Sequence, residues 1–165
     1  MTTRTAAELK VTAEPGTPFL DTERVLDAPR DLVFRCWTEP ELLAQWLGPK
    51  RLTMRVEEYD VRPGGRWRYV HVEQDGTEYG FHGVFHGDQS PDGMLQTFEF
   101  EGAPGHVSLD HLVLEDLGGG RTLVRSHSVF QSVEGRDAMV TSGMESGMRQ
   151  GYEQLDALLA RLQAN

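Results

Sequence analysis

Histidines and carboxylates are the residues through which this chain could do proton chemistry. His71, Glu99 and His111 fall in separate β-like runs. If Glu99 points inward near His71 or His111, loss of solvent raises its carboxyl pKa and a general acid/base pair results. In the run TFEFEG, side-chain alternation groups Thr97, Glu99 and Glu101 apart from Phe98 and Phe100. One bulge would reverse which set faces inward, so the sequence leaves that orientation open. The simpler reading, which we prefer, puts Glu99 and Glu101 on a solvated face and makes His71 a hydrogen-bonded wall residue. The catalytic assignment stays unknown, with His71, Glu99 and His111 as candidates.

Metal chemistry finds little support. His82 and His86 have the i,i+4 spacing that chelates an ion on a helix, but they sit in a strand-like run. There four residues span about 13 Å, too far to share one ion. His71, His111 and His127 lie on different strands and nothing in their spacing makes them converge, so no metal and no cofactor are expected. A serine nucleophile would need a G-x-S-x-G elbow, which is missing. Gly118-Gly119-Gly120 lacks the following Lys of a phosphate loop and reads as a hairpin turn. Cys36 reads as a small core hydrophobe.

A pocket for a small molecule is better supported. Trp67, Tyr69 and His71 alternate on one face of a strand, and Phe81, Gly83 and Phe85 alternate on the next. These read as the concave wall, with Arg66 and Arg68 facing water. Opposite them, Met144, Gly147, Met148, Gly151 and Tyr152 belong to the inner face of a long C-terminal helix. Gly143, Gly147 and Gly151 form a stripe that costs about 2.5–3 kcal/mol of helix propensity relative to alanine. The stripe reads as close approach of helix to sheet, or as room kept for a ligand. Neighbouring methionines suit either, because their side chains adapt to irregular contents.

The elements that must hold these residues follow from local pattern. Met1 to about Thr17 is polar and punctuated by Pro15 and Gly16, and reads as a mobile tail. A strand over 19–27 precedes Pro29, which opens a helix carrying Leu32, Val33, Cys36 and Trp37 on one face. Thr38-Glu39-Pro40-Glu41 has the form of a capping box. It predicts a second helix with Leu42, Leu43, Trp46 and Leu47 that stops at Gly48-Pro49. From Leu52 to Gln131, turn signals at 63–65, 75–76, 90–93, 102–105 and 118–120 separate short β-runs. With the first strand these predict a seven-stranded antiparallel sheet. Residues 135–163 predict one amphipathic helix about 43 Å long, long enough to lie across the sheet.

Bulk composition narrows the class. The 165 residues, 38% hydrophobic and 25% charged, suit one ordinary globular domain. A net charge of −10 repels phosphate backbones and anionic lipid headgroups, so neither nucleic acid nor a membrane surface is an expected partner. A single cysteine, no secretory-type apolar segment and no run long enough to span a bilayer lead to the expectation of a cytoplasmic protein.

Taken with this element order, the segments APRDLVFRCWTEPELLAQWLGP, DVRPGGRWRYV, DGTEYGFHGVF, TFEFEG and GMESGMRQGYEQLDALL carry a family resemblance. Over about residues 19–163 the chain resembles the START-like superfamily of polyketide cyclase/dehydratase and lipid-transport proteins. Within that superfamily it is similar to the bacterial single-domain branch related to the C-terminal domain of the activator of the heat-shock-protein-90 ATPase. The resemblance implies an α+β helix-grip fold, with a curved seven-stranded sheet around a long C-terminal helix in the order β-α-α-β6-α. It implies a tail over 1–18 and the domain over 19–163. For function it implies binding of a small apolar or aromatic molecule, with a cyclase/dehydratase-type enzyme and a co-chaperone-like interaction module as alternatives. No separate N-terminal chaperone-binding domain is present in the sequence, which disfavours a chaperone partner. A homodimer is compatible with the sequence, and no residue argues for one.

Overall fold

The computed structural model describes residues 8–164. Eight strands form one antiparallel sheet in the spatial order β1-β2-β8-β7-β6-β5-β4-β3. They are β1 (Lys10–Thr12), β2 (Phe19–Leu26), β3 (Thr53–Tyr59), β4 (Arg66–Val72), β5 (Glu78–Ser90), β6 (Gly93–Phe100), β7 (Val107–Gly118) and β8 (Arg121–Val129). Helices α1 (Arg30–Thr38) and α2 (Pro40–Leu43) follow β2, and α3 (Val133–Thr141) and α4 (Met144–Ala164) close the chain. This is the helix-grip arrangement. Each of the five turn signals connects neighbouring strands, as short loops between antiparallel strands require. No helix among the described residues is long and apolar enough to cross a membrane.

Four expectations about the N-terminal segment, the sheet edge and the second helix need correction. The sheet has eight strands, not seven, because Lys10–Thr12 pair with Asp21–Glu23 at its edge. That pairing uses backbone groups, which a polar side-chain sequence does not reveal, and buried Leu9 anchors it in the core. Part of the expected mobile tail is therefore ordered; residues 1–7 lie outside the described residues. The capping box does not form. Thr38 instead donates back to the Phe34 carbonyl, and α2 starts from Glu39 without a side-chain cap. The second helix is also shorter than expected, ending at Leu43 before a turn that carries Trp46 and Leu47.

The C-terminal helix is not continuous. It breaks at Ser142-Gly143, where Gly143 takes φ +87°. A Cβ there would meet open space, so only backbone strain resists substitution. Gly143→Ala is expected to lower stability by about 1 kcal/mol in urea unfolding. An unchanged midpoint would show that the break does not depend on the left-handed backbone.

Packing divides α4 into two halves. Leu155, Leu158 and Leu159 interlock with Leu26, Val33 and Cys36, all nearly inaccessible to water, and Trp46 completes that layer. Arg24 of β2, 2% exposed, makes a two-pronged pair with Asp156 at 3.1 and 2.6 Å and lies over the Tyr152 ring. The N-terminal half of α4 meets a different neighbour. Gly151 packs on the backbone of Trp46 and Gly48, and Gly147 on Pro49. Gln154 donates to the Trp46 and Gly48 carbonyls, and Gln150 accepts from the Lys50 amide. The close approach that the small residues permit is thus to the 46–50 loop and not to the sheet. Seated on that loop, the first turns of α4 are held off the strands.

Candidate functional site

Between this raised end of the helix and the concave face of the sheet lies a cavity of about 380 Å³. That is within the range of small-molecule sites. Its walls differ in chemistry because different strands supply them.

The aromatic wall comes from β4, β5 and β6. Trp67 and Tyr69 stack at 5.1 Å with 21° between ring planes. Phe81 sits 5.5 Å from both Tyr69 and Phe98, and His71 lies 5.3 Å from Tyr69 and from Phe81. Trp37, Trp46 and Tyr152 roof the space with Met139, Met144 and Met148. Of the residues expected at the site, Trp67, Tyr69, His71 and Phe81 line the cavity, as do Met144, Gly147, Met148, Gly151 and Tyr152. Gly83 and Phe85 do not reach it. Phe85 is fully buried behind the wall, packed edge-on against Tyr59. Gly83 lets the Thr97 backbone and the Trp67 indole approach closely.

Burial, with no compensating partner, lowers the His71 pKa to about 4, so the ring is neutral at neutral pH. The Gly48 backbone presses against this ring: a Cβ on Gly48 would lie 2.1 Å from His71 Cε1. Cys36 is likewise inert, since burial pushes its thiol up to about 11.

The acid/base pairing of His71 with Glu99 does not occur. Phe98 faces the cavity, whereas Glu99 lies 3.4 Å from His82 and accepts from the Gly105 amide at 2.9 Å. Glu101 sits in the same outer cluster. Arg68 and His82 hold its carboxyl at about 2, chiefly through the Arg68 hydrogen bonds of 2.8 and 2.9 Å. His111 is exposed and directly opposite His127, which pairs with Asp21. His71 therefore does not meet His111 or His127. Among the described residues, no group of three or more His, Cys, Asp or Glu side chains is placed to hold a metal ion.

The second wall was not anticipated. Thr22 of β2, Ser126 and Ser128 of β8, Ser108 and Asp110 of β7, and Gln96 of β6 all line the cavity. Strand register makes them contiguous: Thr22 opposes Ser126, Ser128 opposes Asp110, and Asp110 opposes Gln96. Ser108 donates to Asp110 at 3.0 Å. Burial raises the Asp110 pKa, with the Ser128 and Ser108 hydroxyls acting the other way. A signal exists in the sequence. Short polar residues share one parity in S108-x-D110 and S126-x-S128. Leucine and valine occupy the other parity on β7 as well, so alternation alone does not choose the inner face.

The family model described as activator of Hsp90 ATPase homolog 1-like protein matches residues 27–160. No curated protein sequence is significantly similar. Among solved structures, a protein from Rhodobacter sphaeroides is 26% identical with a TM-score of 0.85, over 93% of this chain and 99% of that one. A protein from Arthrobacter aurescens is 29% identical with a TM-score of 0.83, over 92% and 91% of the two chains. The protein from Silicibacter pomeroyi described as AHSA1 is 22% identical with a TM-score of 0.69, over 86% and 97%, and shows likeness of fold alone.

Proposed function

The chain belongs to the activator of Hsp90 ATPase homolog 1-like family, and from that premise we propose that it binds a small, largely apolar or aromatic molecule between its sheet and C-terminal helix. The observation that carries this reading is the 380 Å³ cavity, walled by ring side chains where a domain of this size would otherwise be close-packed. The interlocked half of α4 supplies stability, so the half over the cavity need not. Methionines in the roof can adjust to the shape of a guest. The separation of His71 from Glu99 removes the specific support for proton-transfer catalysis by that pair.

All three tryptophans, Trp37, Trp46 and Trp67, line the cavity and report directly on occupancy. Titration with the neutral dye N-phenyl-1-naphthylamine is expected to quench tryptophan emission and enhance that of the dye. At a free concentration of about 100 times Kd, bound dye should stabilise the fold by roughly 2.7 kcal/mol through mass action, visible as a raised Tm. Met148→Trp, which fills the space from the roof, is expected to abolish both signals while the protein stays folded. A wild-type protein that shows neither signal at saturating dye would overturn the reading.

A further inference from the structure

The cavity is two-sided, and its polar side has an electrostatic requirement that an apolar guest alone would not meet. Among the described residues, Asp110 is the one carboxylate lining it, and no Lys or Arg does. The other titratable side chains around the space are His71, which is neutral above about pH 4, and the phenols of Tyr59, Tyr69 and Tyr152. Burial first, then the neighbouring Tyr59 and the Asp110 carboxylate, pushes the Tyr69 hydroxyl far above its ordinary value. The aromatic wall and the carboxylate thus act on one another across one space.

Among the described residues, the hydroxyls of Ser108 and Ser128 are the hydrogen-bond partners of Asp110. A carboxylate can accept about four hydrogen bonds, and a neutral hydroxyl offsets little of the cost of removing its charge from water. Further along the stripe, on β2 with β8 between it and the strand of Asp110, Thr22 is only 4% exposed, lines the same cavity, and has no hydrogen-bond partner for its Oγ1 among the described residues. A buried hydroxyl without a partner, and on the same stripe a carboxyl group whose charge burial disfavours, are costly when nothing binds there, and functional when something does.

We propose that the ligand class is an aromatic or alicyclic amine: its ring packs against Trp67, Tyr69, Phe81 and Phe98, and its protonated nitrogen pairs with Asp110 on the polar stripe of β2, β8, β7 and β6. This rests on the cavity being a binding site and adds the chemistry of its occupant. The net charge of −10 favours encounter with a cation over an anion.

A matched series tests it: 1-naphthylmethylamine, protonated at neutral pH, against neutral 1-naphthylmethanol and anionic 1-naphthylacetate, each titrated calorimetrically and by tryptophan quenching. The amine is expected to bind roughly tenfold or more tighter than the alcohol, as charge-assisted pairing in a desolvated site implies, and the acid weakest. Asp110→Asn keeps the side-chain shape and removes the charge, and should reduce the amine to the affinity of the alcohol. If the alcohol equals or exceeds the amine in the wild type, or the folded variant keeps the preference, the amine assignment is overturned while the cavity reading stands. If no member of the series binds and N-phenyl-1-naphthylamine also fails, both fall. The wild-type series decides the matter even if the variant does not fold.

Discussion

Gly83→Ala is expected to destabilise the protein by roughly 3 kcal/mol or more in urea unfolding. A Cβ at this position would lie 1.9 Å from the Thr97 carbonyl oxygen and 2.7 Å from Trp67 Nε1. The first contact is with backbone and cannot be relieved by rotating a side chain. Thr97 is held there by its own hydroxyl, which accepts from the Val84 amide at 2.9 Å. Relief therefore requires β5 and β6 to separate, or the fully buried Trp67 to leave its stack with Tyr69. Either movement deforms the aromatic wall, so the variant should also show altered tryptophan emission and weaker dye binding. Gly105→Ala is the control, because that glycine has φ +88° and open space around it, and should cost only about 1 kcal/mol of backbone strain. Equal losses in the two variants would show that β5 and β6 are not so closely apposed.

Acidification is expected to remove about 3 kcal/mol of stability through His71 alone. Its folded pKa of about 4 lies below the ordinary value of 6.5, so the unfolded chain binds the proton more readily. The stabilising contribution is fully present above pH 6.5 and declines as the pH falls from 6.5 towards 4. With roughly 1.4 kcal/mol per pH unit, that window accounts for the figure given. The physical cause is desolvation: the ring is 6% exposed, packed between Tyr69, Phe81 and Gly48, with no carboxylate near enough to offset the imidazolium charge. Urea midpoints measured from pH 4 to 7 should rise steadily in the wild type. His71→Phe, which keeps a ring in the same wall, should flatten that rise. An unchanged slope in the variant would assign the dependence to other groups.

The two predictions probe one wall from opposite directions. Gly83 determines how closely its strands approach, and His71 determines which protonation state the wall tolerates. Both residues were marked from alternation along their strands, and His71 does line the cavity. Gly83 acts one layer further out, where its missing side chain accommodates Trp67 from behind.

Local pattern determined most of the architecture. Glycine and proline turns separated the six strands from β3 to β8, and the apolar period of 155–159 marked the helix face that fills the core. Such signals are legible because each depends on residues within a few positions of one another. The parity of Trp67, Tyr69 and His71 was equally readable, since large rings alternated there with arginines. Tertiary structure alone decided the rest. The seating of Gly147 and Gly151 depends on the 46–50 loop, a hundred residues distant. Glu99 turned outward because the rings of Phe98 and Phe81 pack on the inner face, which strand alternation could not rank against a carboxylate. The polar stripe that contains Asp110 exists only when β2, β8, β7 and β6 stand in register, so residues from 22 to 128 contribute to one surface. Sequence period assigns a residue to one of two faces; only long-range pairing, driven by burial of the whole sheet, determines which face closes around the cavity.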